Sequence, residues 1–135
     1  MSHPVAIRLM ECVLSKQSAV ILSGDVPSTK DLIELIEQVH PWIAAIKTHV
    51  DCMDDDGGWS EVVACCQEKG LPIMEDRKFA DIGAISHQQM LRGWNIAEWA
   101  DAVTAHGISG PDIIDGLQDA WGMAGRDGGV VLLAQ

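Results

Sequence analysis

The stretch Ala19–Trp42, AVILSGDVPSTKDLIELIEQVHPW, carries the pattern that decides the fold. It opens with a continuous apolar run, Ala19–Ser23, that ends at Gly24-Asp25. Such a run reads as a strand covered on both faces, as in a parallel sheet. Pro27-Ser28-Thr29-Lys30-Asp31 follows. There Ser28 is placed to accept an N–H at a helix start, and Asp31 to complement the helix's positive end. Leu32, Leu35, Ile36 and Val39 then recur at helical spacing, and Pro41 stops the helix.

The same unit repeats in both directions along the chain. Upstream, residues 4–16 place Val5, Leu9, Cys12 and Val13 on one helical face. Downstream, Trp42–Ile46 reads as a second strand, ending at Lys47-Thr48-His49-Val50-Asp51, and Asp54-Asp55-Asp56-Gly57-Gly58 as a polar loop. Residues 59–69 form a helix with Trp59, Val62, Val63 and Cys66 on one face and Gly70 as its terminator. Leu71–Met74 is a third strand, ending at Glu75-Asp76-Arg77-Lys78, and a helical stretch runs on to about Leu91. Ala102–Ala105 is a fourth strand. Pro111 opens a helix faced by Ile113, Ile114, Leu117 and Trp121, and Val130–Ala134 is a fifth strand. One helix, four strand-helix units and a last strand make an α/β protein with a parallel sheet and no internal domain boundary across residues 1–135.

The composition bounds the function. The 135 residues are 47% hydrophobic, with 9 basic against 20 acidic side chains and a formal net charge of −11. That balance speaks against nucleic acid as the main partner, while leaving room for a small anion held by a few local cations. Arg8 and Glu11 interrupt any signal-peptide core, and no run approaches the ~18 apolar residues of a membrane span, so a cytoplasmic protein is the expectation. Cys12, Cys52, Cys65 and Cys66 lack the spacing of a zinc site or a disulfide framework and read as structural thiols, Cys52 among them as core. The spacing of Asp54–Asp56 lacks the alternating ligands of a calcium loop. Trp42, Trp59, Trp94, Trp99 and Trp121 read as packing residues.

Ionisable residues gather where strands end: Asp25 after the first, Lys47 and His49 after the second, Asp76 and Lys78 after the third, His106 after the fourth. Parallel α/β folds bind ligands at those ends. The densest feature is Asp76-Arg77-Lys78-Phe79-Ala80-Asp81, two carboxylates bracketing one ammonium as D-x-K-x-x-D. With Lys47 alongside, alternating charges keep one another ionised, and a dry ammonium can stabilise a carbanion and then protonate it. A surface ion-pair cluster has the same spacing.

Three blocks, KTHVD (Lys47–Asp51), EDRKFADIG (Glu75–Gly83) and WADAVTAHGISGP (Trp99–Pro111), resemble successive signatures of orotidine 5′-monophosphate decarboxylases of the fungal and UMP-synthase type. VILSGD (Val20–Asp25) falls where that family has its first strand and an aspartate. The resemblance implies a TIM (β/α)8 barrel, of which this chain carries an N-terminal helix and about five strands. It implies a homodimer without metal or cofactor that turns orotidine 5′-monophosphate into UMP. It implies that Lys78 protonates C6 of the pyrimidine, within an array shared with Asp76 and Lys47. Asp81 would serve the neighbouring subunit's site. Asp25 and Lys47 would hold the ribose hydroxyls, with Thr48 and His49 in the same segment, and His106 would be a structural hydrogen-bonding marker.

The resemblance also marks departures. The family's groups for the pyrimidine edge and the phosphate come after the fifth strand, beyond Gln135. Ile85 stands where the family has a threonine that reaches the partner's ribose, and Gly24 where it has a larger apolar residue, a change expected to loosen that loop. An open five-strand piece would leave its first and last strands without barrel neighbours. Two rival readings follow: a non-catalytic relative acting as a binding or assembly partner, and a sugar-phosphate enzyme of a related barrel using the same charged array.

Overall fold

The computed structural model describes residues 3–54 and 57–134. Asp55 and Asp56, part of the expected polar loop, lie outside them. The helices are α1 (Pro4–Lys16), α2 (Thr29–Val39), α3 (Trp59–Glu68), α4 (Gly83–Leu91), α5 (Ile96–Trp99) and α6 (Asp112–Met123). The strands are β1 (Ile21–Ser23), β2 (Ala45–Thr48), β3 (Ile73–Phe79), β4 (Ala102–His106) and β5 (Gly129–Leu133). Ser28 caps α2 as its position predicts, accepting from Asp31 N–H at 3.1 Å.

All four strand pairings are parallel, and the spatial order is the chain order, β1-β2-β3-β4-β5. This order separates two α/β designs. A doubly wound sheet reverses direction at a switch point, whereas a barrel adds each strand on the same side of the last. The chain therefore forms an arc of a TIM-type barrel. Among the described residues β1 pairs only with β2 and β5 only with β4.

Strand pleating sorts the side chains into two layers. Ile46, Ile73, Phe79 and Val103 face the helices and are almost fully buried, with Leu32, Ile36, Val62, Cys66, Ile113, Leu117 and Trp121. α4 and α6 approach so closely at Gly83 and Gly116 that neither position has room for a Cβ. On the opposite face, Ile21, Ala45, Met74, Ala102 and Val131 border an apolar cavity of about 610 Å³ that is also lined by Val5, Ala6 and Leu9 of α1.

Several elements depart from the sequence reading. β3 does not stop at Met74 but runs through Glu75-Asp76-Arg77-Lys78 to Phe79, because its charged residues find polar partners on both neighbouring strands. β2 starts three residues late, since His40–Trp42 forms a 3-10 turn at Pro41. Trp42 is 67% exposed rather than packed, and Cys52 is exposed rather than core. Gly24 does not loosen its loop. It is buried, its N–H donates to Lys47 O at 2.8 Å, and a Cβ there would lie 2.7 Å from Leu32 Cδ1. The larger neighbours Leu32 and Ile46 fill the space a side chain would take.

Candidate active site

The inner face of the sheet changes character along the strands. Ala45 is followed two residues on by Lys47, Met74 by Asp76, and Ala102 by Thr104, so the apolar end gives way to polar groups at the carboxyl ends. There the loop after β1 and strands β2 and β3 bring together Asp25, Lys47, His49, Asp76 and Lys78.

Asp76 is the centre. Its Oδ2 accepts from Lys78 Nζ at 2.7 Å and from Lys47 Nζ at 3.3 Å, and lies 3.1 Å from His49 Nε2. Its Oδ1 accepts from the Thr104 hydroxyl at 2.7 Å. Its side chain is only 13% exposed, so burial opposes the charge. The bonds from Lys78, Thr104 and Lys47 outweigh that cost and hold the carboxyl well below the usual carboxylate range. Asp76 is thus an anion across the physiological range, fixed by donors on every side.

Asp25 closes the other end. It accepts from Ser23 Oγ at 2.6 Å, sits 2.7 Å from His49 Nδ1 and lies 3.9 Å from Lys47 Nζ. The bonds from Ser23 and His49 lower its pKa. His49 links the two carboxylates, with Lys47 Nζ 3.4 Å from Nδ1 and Lys78 Nζ 3.2 Å from Nε2. With its proton on Nδ1 the ring donates to Asp25, leaving Nε2 free to accept from Lys78.

Lys78 owes its place to an irregular backbone. The β3–β4 register pairs Glu75 with Val103 and then Phe79 with Ala105, so Asp76, Arg77 and Lys78 all lie opposite Thr104. Lys78 has φ +53°, in the left-handed region that non-glycine residues seldom occupy. Such bulges re-aim side chains next to functional sites. Arg77 turns away, with its guanidinium 5.8 Å from the Phe79 ring centre and 3.7 Å from Asp51.

Two predicted site residues do not join the array. Thr48 has the opposite strand parity to Lys47. Its side chain is fully buried in the helix-facing layer, where its hydroxyl donates to Glu75 Oε2 at 2.7 Å, so it does not present itself to a ligand. Asp81 is exposed, and its Oδ1 accepts from the Ile82 N–H at 2.8 Å, apart from the array. His106 ends β4 half-buried, and its ring makes no hydrogen bond to another described residue.

Two residues that the sequence reading passed over matter here. Thr104 joins β4 to both Asp76 and the Lys78 backbone, accepting from Lys78 N–H at 2.9 Å. Glu75 is fully buried and accepts from Thr48 and from Val50 N–H at 3.1 Å. Strand parity was the available signal. Glu75 shares the parity of buried Ile73, and Thr104 faces Asp76 across the ladder.

A one-directional parallel sheet with a charged array at its strand ends defines a barrel-type α/β protein with its site where such folds do chemistry. The chain belongs to the orotidine 5′-phosphate decarboxylase / HUMPS family, whose model matches residues 18–135. It is 44% identical over 123 residues to orotidine 5′-phosphate decarboxylase of Pachysolen tannophilus, covering 88% of this chain and 46% of that protein. It is 42% identical over 121 residues to the Saccharomyces cerevisiae enzyme, covering 87% and 45%. The fold is similar to that of orotidine 5′-monophosphate decarboxylase from Methanocaldococcus jannaschii, at a TM-score of 0.64 and 22% identity over 84% of this chain and 52% of that one. The chain spans about half the length of the curated relatives it matches.

Proposed function

We propose that the protein carrying this chain decarboxylates orotidine 5′-monophosphate to UMP in pyrimidine biosynthesis, and that these residues supply the charged part of its active site. The observation that carries the reading is the Lys78–Asp76 pair at 2.7 Å, flanked by Lys47 and His49 at the carboxyl ends of the strands. Loss of CO2 from C6 leaves an sp2 carbanion that the ring π-system cannot delocalise. A preorganised ammonium stabilises that charge where it forms, and then donates the proton. Lys78 has that role. Asp76 holds its ammonium in place and is itself paired with Lys47, while Asp25 and Lys47 would meet the ribose hydroxyls, with His49 between them.

The site reading extends to a dimer in which Asp81 reaches the neighbouring subunit. Support comes from its surroundings. Asp81 is exposed beside Ile82 and Ile85, which are 59% and 38% exposed, and Ile108 is 87% exposed. The Ile108 loop is tied to this region by Ser109 Oγ donating to Ala80 O at 2.6 Å. A cytoplasmic location belongs to the same proposal, and no helix among the described residues is long and apolar enough to cross a membrane.

The rival reading, a non-catalytic binding or assembly partner, draws on the same exposed Ile82, Ile85 and Ile108. The test is orotidine 5′-monophosphate turnover, followed by loss of its absorbance, using the protein as its source produces it. Turnover supports the decarboxylase. Absence of turnover, with co-purification of a full-length homologue, supports the assembly reading.

A further inference from the structure

We propose that Thr104 is the positioning residue that fixes Lys78 against Asp76, by holding both ends of the irregular β3 segment with one hydroxyl. The proposal rests on the decarboxylase reading for its kinetic consequence, but its structural basis is independent of any substrate.

The argument starts from the ladder. Three residues of β3 lie opposite Thr104, so the segment Asp76-Arg77-Lys78 cannot use the regular backbone pairing of its neighbours. Its backbone polar groups still need partners, because an unpaired group away from water is costly. The Thr104 hydroxyl provides one. It accepts from Lys78 N–H at 2.9 Å and donates its own proton to Asp76 Oδ1 at 2.7 Å. A hydroxyl is the smallest side-chain group able to accept and donate at once. Thr104 itself is 4% exposed, and its methyl group and branched Cβ restrict its rotamer.

The two bonds act on two different quantities. The Lys78 N–H bond fixes a backbone at φ +53°, a conformation that a lysine would otherwise leave. That backbone decides where the ammonium points. The bond to Oδ1 occupies the Asp76 oxygen that the ammoniums do not use, so Oδ2 is left for Lys78 and Lys47. Thr104 thereby sets which oxygen faces the ammonium groups. It does so from the next strand, and no described contact places it against a reacting atom, so it acts through Lys78 and Asp76.

The test compares Thr104→Val, which keeps the shape and removes both bonds, with Thr104→Ser, which keeps the hydroxyl, and Thr104→Ala, which cannot overpack. Two readouts follow the structure without substrate: the titration of the Asp76 carboxyl carbon and the exchange rate of the Lys78 amide, both by NMR. Val and Ala are expected to raise the Asp76 midpoint and to speed Lys78 amide exchange by about tenfold or more against the amides of Val103 and Ala105. Ser is expected to match the parent. With orotidine 5′-monophosphate, Val is expected to lower kcat by on the order of 10²-fold and to leave KM within about threefold. Unchanged NMR readouts in both Val and Ala would overturn the proposal, as would a kcat loss that Ser does not rescue. If the parent protein has no turnover, the decarboxylase reading fails, and the NMR comparison still decides for or against Thr104.

Discussion

Thr48 Oγ1 and Glu75 Oε2 are 2.7 Å apart inside the apolar layer, Thr48 one residue after Lys47 and Glu75 one residue before Asp76 of the charged array. The pair also occupies matched positions in the β2–β3 register. Parity turns Lys47 and Asp76 toward the inner face and their neighbours toward the helices. Each strand therefore carries a polar anchor behind its site residue, and Val50 N–H adds a second bond to the same carboxyl.

That anchor makes stability depend on pH. Burial raises the Glu75 pKa to about 7, against the opposing bonds from Thr48 and Val50, with Asp51 raising it further. The folded state therefore holds a proton that the unfolded chain releases near the ordinary value of 4.5. Between about pH 4.5 and 7 the folded state binds more protons, so stability falls as pH rises through that window and levels off above it, by about 3 kcal/mol in all. Glu75→Gln removes this slope. Denaturant unfolding of both proteins from pH 5 to 8 checks it: the two stabilities should converge on the acid side and diverge above neutrality in favour of Gln. Parallel curves would contradict the account.

Asp101 is the corresponding anchor at the other end of the strands. Its carboxylate pairs with Arg8 of α1 at 3.1 Å and with Arg126 before β5 at 2.9 Å, and accepts from Ile73 N–H at 2.9 Å. With a side chain only 13% exposed, its loss leaves a strand N–H and a half-sheltered arginine without a partner. Asp101→Ala is expected to cost about 2–4 kcal/mol in denaturant unfolding. Arg8→Ala, at the more exposed partner, is expected to cost under about 1 kcal/mol.

Gly24 is a packing requirement. A side chain there meets Leu32 and Ile46, so Gly24→Leu is expected to cost about 1–3 kcal/mol. In a Leu32→Ala background the same change should cost clearly less, because the added atoms enter the space Leu32 vacates. Equal costs in the two backgrounds would show that the glycine serves the backbone instead.

Much of this was legible in the residues. Apolar runs alternating with helical faces gave the β/α order, Ser28 marked a helix start, and charges at strand ends marked the side chains that the fold gathers into one array. The site's working geometry was not legible. The left-handed Lys78 follows from contacts with β4, which local propensity cannot report. Glu75 escapes a reading that ends the third strand at Met74, because only the longer strand gives it the parity of buried Ile73. The four-residue helix α5 is too short to show a period. The Arg8–Asp101–Arg126 cluster joins residues far apart in the chain, and nothing in their spacing pairs them.

The central claim is that the Lys78 ammonium does the chemistry, and neighbouring cations offer a control. Arg77 is adjacent in sequence but points to Asp51 and Phe79. The measurement is kcat/KM for orotidine 5′-monophosphate in Lys78→Ala and Arg77→Ala, made in the protein as its source produces it. The account predicts a loss of on the order of 10³-fold or more for Lys78→Ala and less than about tenfold for Arg77→Ala. Comparable losses in both, or a Lys78→Ala protein that keeps its rate, would contradict it.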